Sequence, residues 1–259
     1  MPSESDPADL RPSEAQEAVV AHDDGSLLVL GVAGSGRTEA LALRLARLTS
    51  EAEGTLVLTR SVATANRIRS RAEEAIEGAF EELVVHRHPV AAVRLLREHA
   101  TEAGLDPFCE ALSPAERLAM LLERVELLPL RRHEIRGNPA GLLARIVDRI
   151  DALKAAGVTA RRFREWSEGA TGKRGSERDA AEREREFAEI YELHDSMLRS
   201  AGAIDDGEAV LELTRLLGER PALAAAIAGR FPHLIVDEAE DACPAERSMI
   251  EAVANGART

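Results

Sequence analysis

Four apolar runs of strand length interrupt a chain whose hydrophobic positions otherwise recur at helical spacing. SLLVLG (Ser26–Gly31) and GTLVLTR (Gly54–Arg60) are continuous rather than alternating, as expected of parallel strands buried on both faces. EELVVHRH (Glu81–His88) predicts a third strand, and FPHLIVDEAED (Phe231–Asp241) a fourth that ends in a burst of carboxylates. Helical segments alternate with them. PSEAQEAVVAH (Pro12–His22) predicts a short helix with Ser13 as its N-cap. The segment after Gly36 offers Ala40, Leu41, Leu43, Leu45 and Ala46 as a packing face, and ATANRIRSRAEEAIEGAF predicts the next helix. The first ninety or so residues therefore read strand–helix–strand–helix–strand, the pattern of a parallel α/β sheet.

From Pro89 to Ala201 the periodicity is helical throughout, with no strand signal. SPAERLAMLLERVELLPL opens with Ser113 as N-cap, Pro114 in the first turn and Glu116 at the capping-box position. NPAGLLARIVDRIDALKAAG stops at Gly157, and EGATGKRGSERD (Glu168–Asp179) reads as a polar loop. The helix ERDAAEREREFAEIYELHDSMLRSAG carries Glu/Arg pairs at i,i+4 spacing, which a solvated face explains. DDGEAVLELTRLLGERP and PAERSMIEAVANG predict two more helices, the second beginning at Pro244 and stopping at Gly256. Sheet-type segments thus bracket a large helical insertion, and residues 1–12, polar and Pro-containing, are expected to form a mobile tail.

Composition narrows the class. Aromatics are only 3% of 259 residues, so the core must rest on Leu, Ala, Val and Ile. The net charge of −13 argues against a generally basic nucleic-acid coat and leaves room only for a local basic groove. Cys109 and Cys243 lack metal or disulfide spacing and are expected to be reduced thiols. No apolar run reaches the roughly 20 residues of a membrane span, and the N-terminus has no secretory pattern. The expectation is a cytoplasmic protein without a membrane partner.

Two motifs carry chemistry. GVAGSGRT fits G-x-x-x-x-G-[KR]-[ST] between a strand and a helix. Its glycines let the backbone approach phosphates, and successive N–H groups at a helix N-terminus cradle an anion. Gly31, Val32, Ala33, Gly34, Ser35, Gly36, Arg37 and Thr38 are the candidate nucleotide-binding residues, with Thr38 placed to hold Mg²⁺ through its hydroxyl. In the second motif, LIVDEAED, the carboxylates of Asp237 and Glu238 lie at the carboxyl end of a strand, where open α/β sheets bind ligands. Asp237 is the candidate Mg²⁺ ligand and Glu238 the residue to polarise a water attacking the γ-phosphate of ATP.

With these motifs placed, the chain resembles the N-terminal part of a UvrD/Rep-type superfamily 1 DNA helicase. SEAQEAVVAH is similar to the family's Q motif, which puts Gln16 on the adenine. LLVLGVAGSGRT resembles motif I, LVLTRSVATANRIRSRA motif Ia, VHRHPVAAVRLLREHATEAGL the segment with motif Ib, and GRFPHLIVDEAEDACPAE motif II. The resemblance implies a RecA-like P-loop NTPase sheet with a large all-helical insertion. Its first part is expected at 13–106, the insertion (subdomain 1B) at 107–201, and the second part at 202–259, ending before motif III. It implies ATP and Mg²⁺ as cofactors and a motor moving 3′ to 5′ on single-stranded DNA. Thr59, Arg60, Arg87 and His88 fall at the DNA-binding positions, and Arg37 joins Glu238 at the catalytic ones.

The chain also departs from the family's pattern. Arg37 replaces the usual lysine, and its planar fork differs in length and geometry from an ammonium. Arg60 and Arg87 stand where aromatics help stack bases, each worth about 1–3 kcal/mol. Ala239 and Glu240 replace an aromatic and a γ-phosphate-sensing glutamine. In this family the strand before motif III lies between the glycine-loop strand and the Asp-Glu strand, so a gap in the sheet is expected and the chain reads as a fragment. The expected role is the ATP-binding first part of a helicase motor, inactive alone and completed by a C-terminal motor half. The alternative is a degenerate, non-hydrolysing module serving binding or assembly, as in a helicase–nuclease complex. An unrelated loop NTPase, such as a small kinase, would need a basic substrate lid that the insertion lacks. His22, His99, His133, His194 and His233 have no ligand spacing, Trp166 and Tyr191 are expected to pack the insertion, and RRHEIR (Arg131–Arg136) reads as a solvated loop.

Overall fold

The computed structural model describes residues 12–80, 82–132, 138–170, 175–255 and 257–259. The expected tail at 1–11, most of the RRHEIR run, the centre of the 168–179 loop and the Gly256 stop lie outside the described residues.

Local signals in the sequence set most element starts. Helix α1 (Glu14–Ala21) begins at Ser13, whose hydroxyl accepts the Gln16 N–H while the Gln16 side chain accepts the Ser13 N–H. Helix α2 (Arg37–Ser50) buries Ala40, Ala42, Arg44, Leu45, Ala46 and Leu48, so its core face is rotated from the expected one; Leu41 and Leu43 are half-buried. Strand β1 (Thr55–Thr59) is buried at every position, and α3 (Val62–Ala75), capped by Ser61, ends before the expected Phe80. Strand β2 (Val84–Arg87) runs directly into α4 (His88–Glu98), followed by α5 (Ala100–Ala103) and β3 (Glu110–Ala111). Helix α6 (Pro114–Glu123) carries the expected Ser113/Glu116 capping box. Then come α7 (Ala140–Ala155), α8 (Ala160–Gly169), α9 (Gly175–Ser200), β4 (Ala203–Ile204), α10 (Asp206–Glu219), α11 (Pro221–Arg230), β5 (His233–Val236) and α12 (Pro244–Ala254).

The chain forms two compact units. One holds the residues up to His88 with Arg220–Ala242 and Val253–Thr259. Its parallel sheet has the order β2–β1–β5, with Leu56 opposite Val84 on one side and Leu234 on the other. Helices α2 and α3 cover it, packing Leu45, Leu48 and Ile68 onto Val57, Val85 and Ile235. Each such side chain, fully buried, contributes about 1.5–3 kcal/mol.

The first apolar run does not become a strand. Among the described residues Ser26–Gly31 joins no sheet, and Leu28, Leu30 and Val32 are 78%, 80% and 79% exposed. A strand needs a neighbouring edge to take up its backbone groups. Among the described residues β5 pairs with β1 alone, and its other edge meets only the last residues of the chain. Leu234 N–H donates to Thr259 O (2.8 Å), while Gly25 N–H donates to Arg258 O (3.2 Å). Residues 258–259 thus bond to both segments at one end, and among the described residues no strand pairs with the length from Leu27 to Val32.

The other unit holds Pro89–Glu219 and Cys243–Ala252. Its core joins Leu121, Leu143, Val147, Ile150, Phe163, Phe187, Ile190 and Tyr191, with the Phe163 and Phe187 rings edge-on at 5.3 Å. Tyr191 is fully buried and donates to Val158 O (3.0 Å), whereas Trp166 rests against Phe163 and leaves 57% of its surface exposed. The expectation of no strand from Pro89 to Ala201 needs one correction: β3 lies within it and forms a two-residue parallel pair with β4, too short to show a period in the sequence. Both cysteines are free thiols.

Candidate phosphate site

The parallel sheet brings three strand ends to one edge. Thr59 pairs with Arg87 and Leu58 with Val236, so Thr59–Arg60, Arg87–His88 and Asp237–Glu238 all emerge at the carboxyl end. Asp237 N–H donates to Leu58 O (3.0 Å), carrying the β5 ladder one residue further and leaving the Asp237 carboxylate buried at the rim.

The glycine loop folds over this edge. Ser35 N–H closes a turn onto Val32 O (3.2 Å). Gly36 caps α2 at φ +78°, a left-handed angle that favours glycine, and a Cβ there would displace the Gln16 amide from its place against the loop. No side chain caps α2. Its first N–H groups therefore face the cavity as a positive, donor-rich end. Gln16 donates from Nε2 to Gly36 O (3.3 Å) while its Oε1 caps its own helix, tying α1 to the loop.

Loop and strand meet at one bond: Thr38 Oγ1 donates to Asp237 Oδ2 at 2.9 Å, across 199 positions of sequence. Asp237 Oδ1 in turn accepts the Glu238 N–H (3.0 Å). Glu238 holds φ +59° and ψ 35°, the left-handed region that a side chain occupies at a cost of about 1–2 kcal/mol, and its Oε2 is buried without a hydrogen-bond partner. An open cavity of about 370 Å³ lies here, lined by Val32, Gly34–Glu39, Ala42, Arg67, Arg71, Asp237 and Glu238.

The cavity's charges are partly committed. Arg37 Nη1 stands 3.5 Å from Glu240 Oε1. Arg71 bonds Glu39 (2.5 Å) and Glu74 (3.4 Å), and the hydrogen bond to Glu39 leads the effects that raise its pKa above the ordinary value. Arg67 Nη2 reaches Thr38 Oγ1 at 3.5 Å. Of the expected nucleotide-site residues, Val32, Gly34–Thr38, Asp237 and Glu238 line one cavity, and Gln16, Gly31 and Ala33 are not among its lining residues. Arg67, Arg71 and Glu39 were not among the expected residues; the i,i+4 spacing of Arg67 and Arg71, which places both on one helix face, was the available signal.

An apolar run, a glycine loop and a helix thus meet a buried Asp-Glu strand end in one cavity over a parallel sheet, and the sequence matches the UvrD/REP helicase N-terminal domain over residues 12–259. The chain belongs to this family. A UvrD/REP N-terminal domain of this sequence is 24% identical over 241 residues to DNA helicase II of Haemophilus influenzae, covering 88% of this chain and 30% of that protein. It is 24% identical over 245 residues to the ATP-dependent DNA helicase UvrD1 of Mycobacterium bovis (91% and 29% covered) and 27% over 252 residues to UvrD1 of Mycobacterium leprae (94% and 30%). The chain therefore spans about 30% of the length of the relatives it matches.

Thr59 is wholly buried and donates to Ser61 O (3.0 Å), and His88 is 1% exposed at the start of α4. Arg60 is exposed, and its Nη1 donates to Asp241 O (2.5 Å), beside the turn that carries Glu240. Arg87 is half-buried at the end of β2. Among the described residues no helix is long and apolar enough to cross a membrane.

Proposed function

We propose that this chain binds ATP with Mg²⁺ on the loop Gly31–Thr38 and is the ATP-binding first part of a UvrD-like motor acting on single-stranded DNA. The observation that carries this reading is the 2.9 Å bond between the Thr38 hydroxyl and the Asp237 carboxylate. A hydroxyl and a carboxylate at that separation suit a hard divalent cation, which takes oxygen ligands and bridges to phosphate oxygens. Mg²⁺ held there would neutralise charge on the phosphates. The backbone N–H groups at the start of α2 bind and orient the phosphate chain. Gln16, anchored to Gly36, is offered to the base. The buried, unpartnered Oε2 of Glu238 is ready to accept a proton from water. The residues present fit the group.

The UvrD1 relatives are ATP-dependent DNA helicases, and the strand ends carrying Arg60 and Arg87 support a DNA path along the same edge. A second motor half or a helicase–nuclease partner would complete such a machine. The reading of a binding module that does not hydrolyse ATP draws on one specific contact, the Arg37–Glu240 pair, which engages the loop's own cation with a carboxylate.

Titration with a fluorescent ATP analogue tests the site. Wild type binds in a Mg²⁺-dependent way, and Thr38→Val and Asp237→Asn each remove that dependence; retention of it in both variants would sink the reading. A phosphate-release assay with single-stranded DNA shows little or no turnover by this chain, and robust turnover would overturn its assignment as inactive alone.

A further inference from the structure

Three arginines line the phosphate cavity, and two of them already have carboxylate partners. Arg37 is paired with Glu240, and Arg71 with Glu39 and Glu74. Arg67 differs. Among the described residues it has no ion-pair partner, and its one hydrogen bond is a long contact to the neutral Thr38 hydroxyl at 3.5 Å. That hydroxyl is itself 2.9 Å from Asp237, so the Arg67 guanidinium lies where the loop and the acidic strand end converge.

We propose that Arg67 is the arginine that meets a nucleotide's phosphates in this cavity, a task the loop position gives to Arg37 but from which Glu240 withholds it. The inference rests on the reading that the loop binds a nucleoside triphosphate. A guanidinium with no carboxylate to leave loses little on turning to a phosphate, and its planar fork can take two phosphate oxygens. Arg37 shares its charge with Glu240, whose carboxylate also repels an incoming anion. Helix α3, packed on α2, carries the Arg67 guanidinium to 3.5 Å from Thr38 Oγ1.

Binding titrations with fluorescent ATP and fluorescent adenosine test this on wild type, Arg67→Ala, Arg67→Lys, Glu240→Gln and the Arg67→Ala/Glu240→Gln double variant. Arg67→Ala is expected to weaken ATP binding about tenfold and leave adenosine binding unchanged, with Arg67→Lys in between. Glu240→Gln tightens ATP binding, and in its background the Arg67→Ala loss falls to about threefold because Arg37 is released. If wild type binds ATP and Arg67→Ala binds it equally well, the inference is overturned while the nucleotide site stands. An equal loss for adenosine also overturns it, since the effect would not concern phosphate. If wild type binds no ATP at all, the nucleotide reading fails and takes this inference with it.

Discussion

At the scale of single residues, Glu238 shows how function and stability oppose each other. It stands in left-handed backbone with a buried carboxylate oxygen that nothing satisfies. Glycine adopts that angle freely and carries no carboxylate, so Glu238→Gly should raise stability by about 1 kcal/mol in urea unfolding, and a lower midpoint would contradict the account. The residue was singled out in the sequence only because the Asp-Glu pair ending an apolar run occurs together with the glycine loop; alone, such a pair reads as an ordinary strand end. Its strain was not legible, since nothing in VDEAED encodes a positive φ. Arg37 divides the same way. Its departure from lysine is visible in GSGRT, but its engagement by Glu240 exists only because β5 delivers the acidic turn beside the loop.

At the scale of elements, the helical unit is held by a buried charge cluster. Lys154 on α7 is fully buried and bonds Asp195 on α9 (2.8 Å), Asp205 before α10 (2.7 Å) and Glu208 on α10 (3.1 Å). A Cβ on Gly207 would meet Lys154 Cβ at 2.7 Å, so glycine is needed for the close approach. His194, Asp195 and Asp205 offer ligand atoms within 4.8 Å of one another, but the Lys154 ammonium bonds both aspartates. Burial alone pushes Lys154 down and Asp205 up. The facing charges outweigh it, holding Lys154 above and Asp205 below their ordinary values. A carboxylate with a depressed folded pKa adds stability above its unfolded pKa, about 3.9, and loses it as pH falls through the folded value. Lys154→Met removes the ammonium the buried acids share, leaving Asp205 with Arg117 (3.6 Å) and Asp195 with His194 (2.9 Å), and should cost about 3–5 kcal/mol at pH 7. Burial then raises their pKa values, so the variant gains stability as pH falls towards 4 while wild type does not. Thermal melts across this range check the sign, and a constant difference would refute the cluster's role. Element types here were legible from caps and spacing, as at Ser113–Glu116; the convergence of Lys154, Asp195 and Asp205 was not, because each reads alone as an ordinary charge on a helix.

At the scale of the whole molecule, the open sheet edge beside Leu27–Val32 has a consequence for the chain in solution. Exposed Leu28, Leu30 and Val32 next to unpaired backbone form an apolar, adhesive edge. Light scattering should show concentration-dependent self-association that Leu28→Lys/Leu30→Lys abolishes; equal association by both chains would place the contact elsewhere. By itself the sequence determined the alternation of strands and helices, the glycine loop, the acidic strand end and the family, because period, capping and motif spacing are local properties of the chain. The tertiary structure decided which apolar run became a strand, which arginines are engaged and how Lys154 is buried. Those outcomes depend on partners far along the chain: an apolar run pairs only if an edge is beside it, and a charge is satisfied only by what the fold brings within reach.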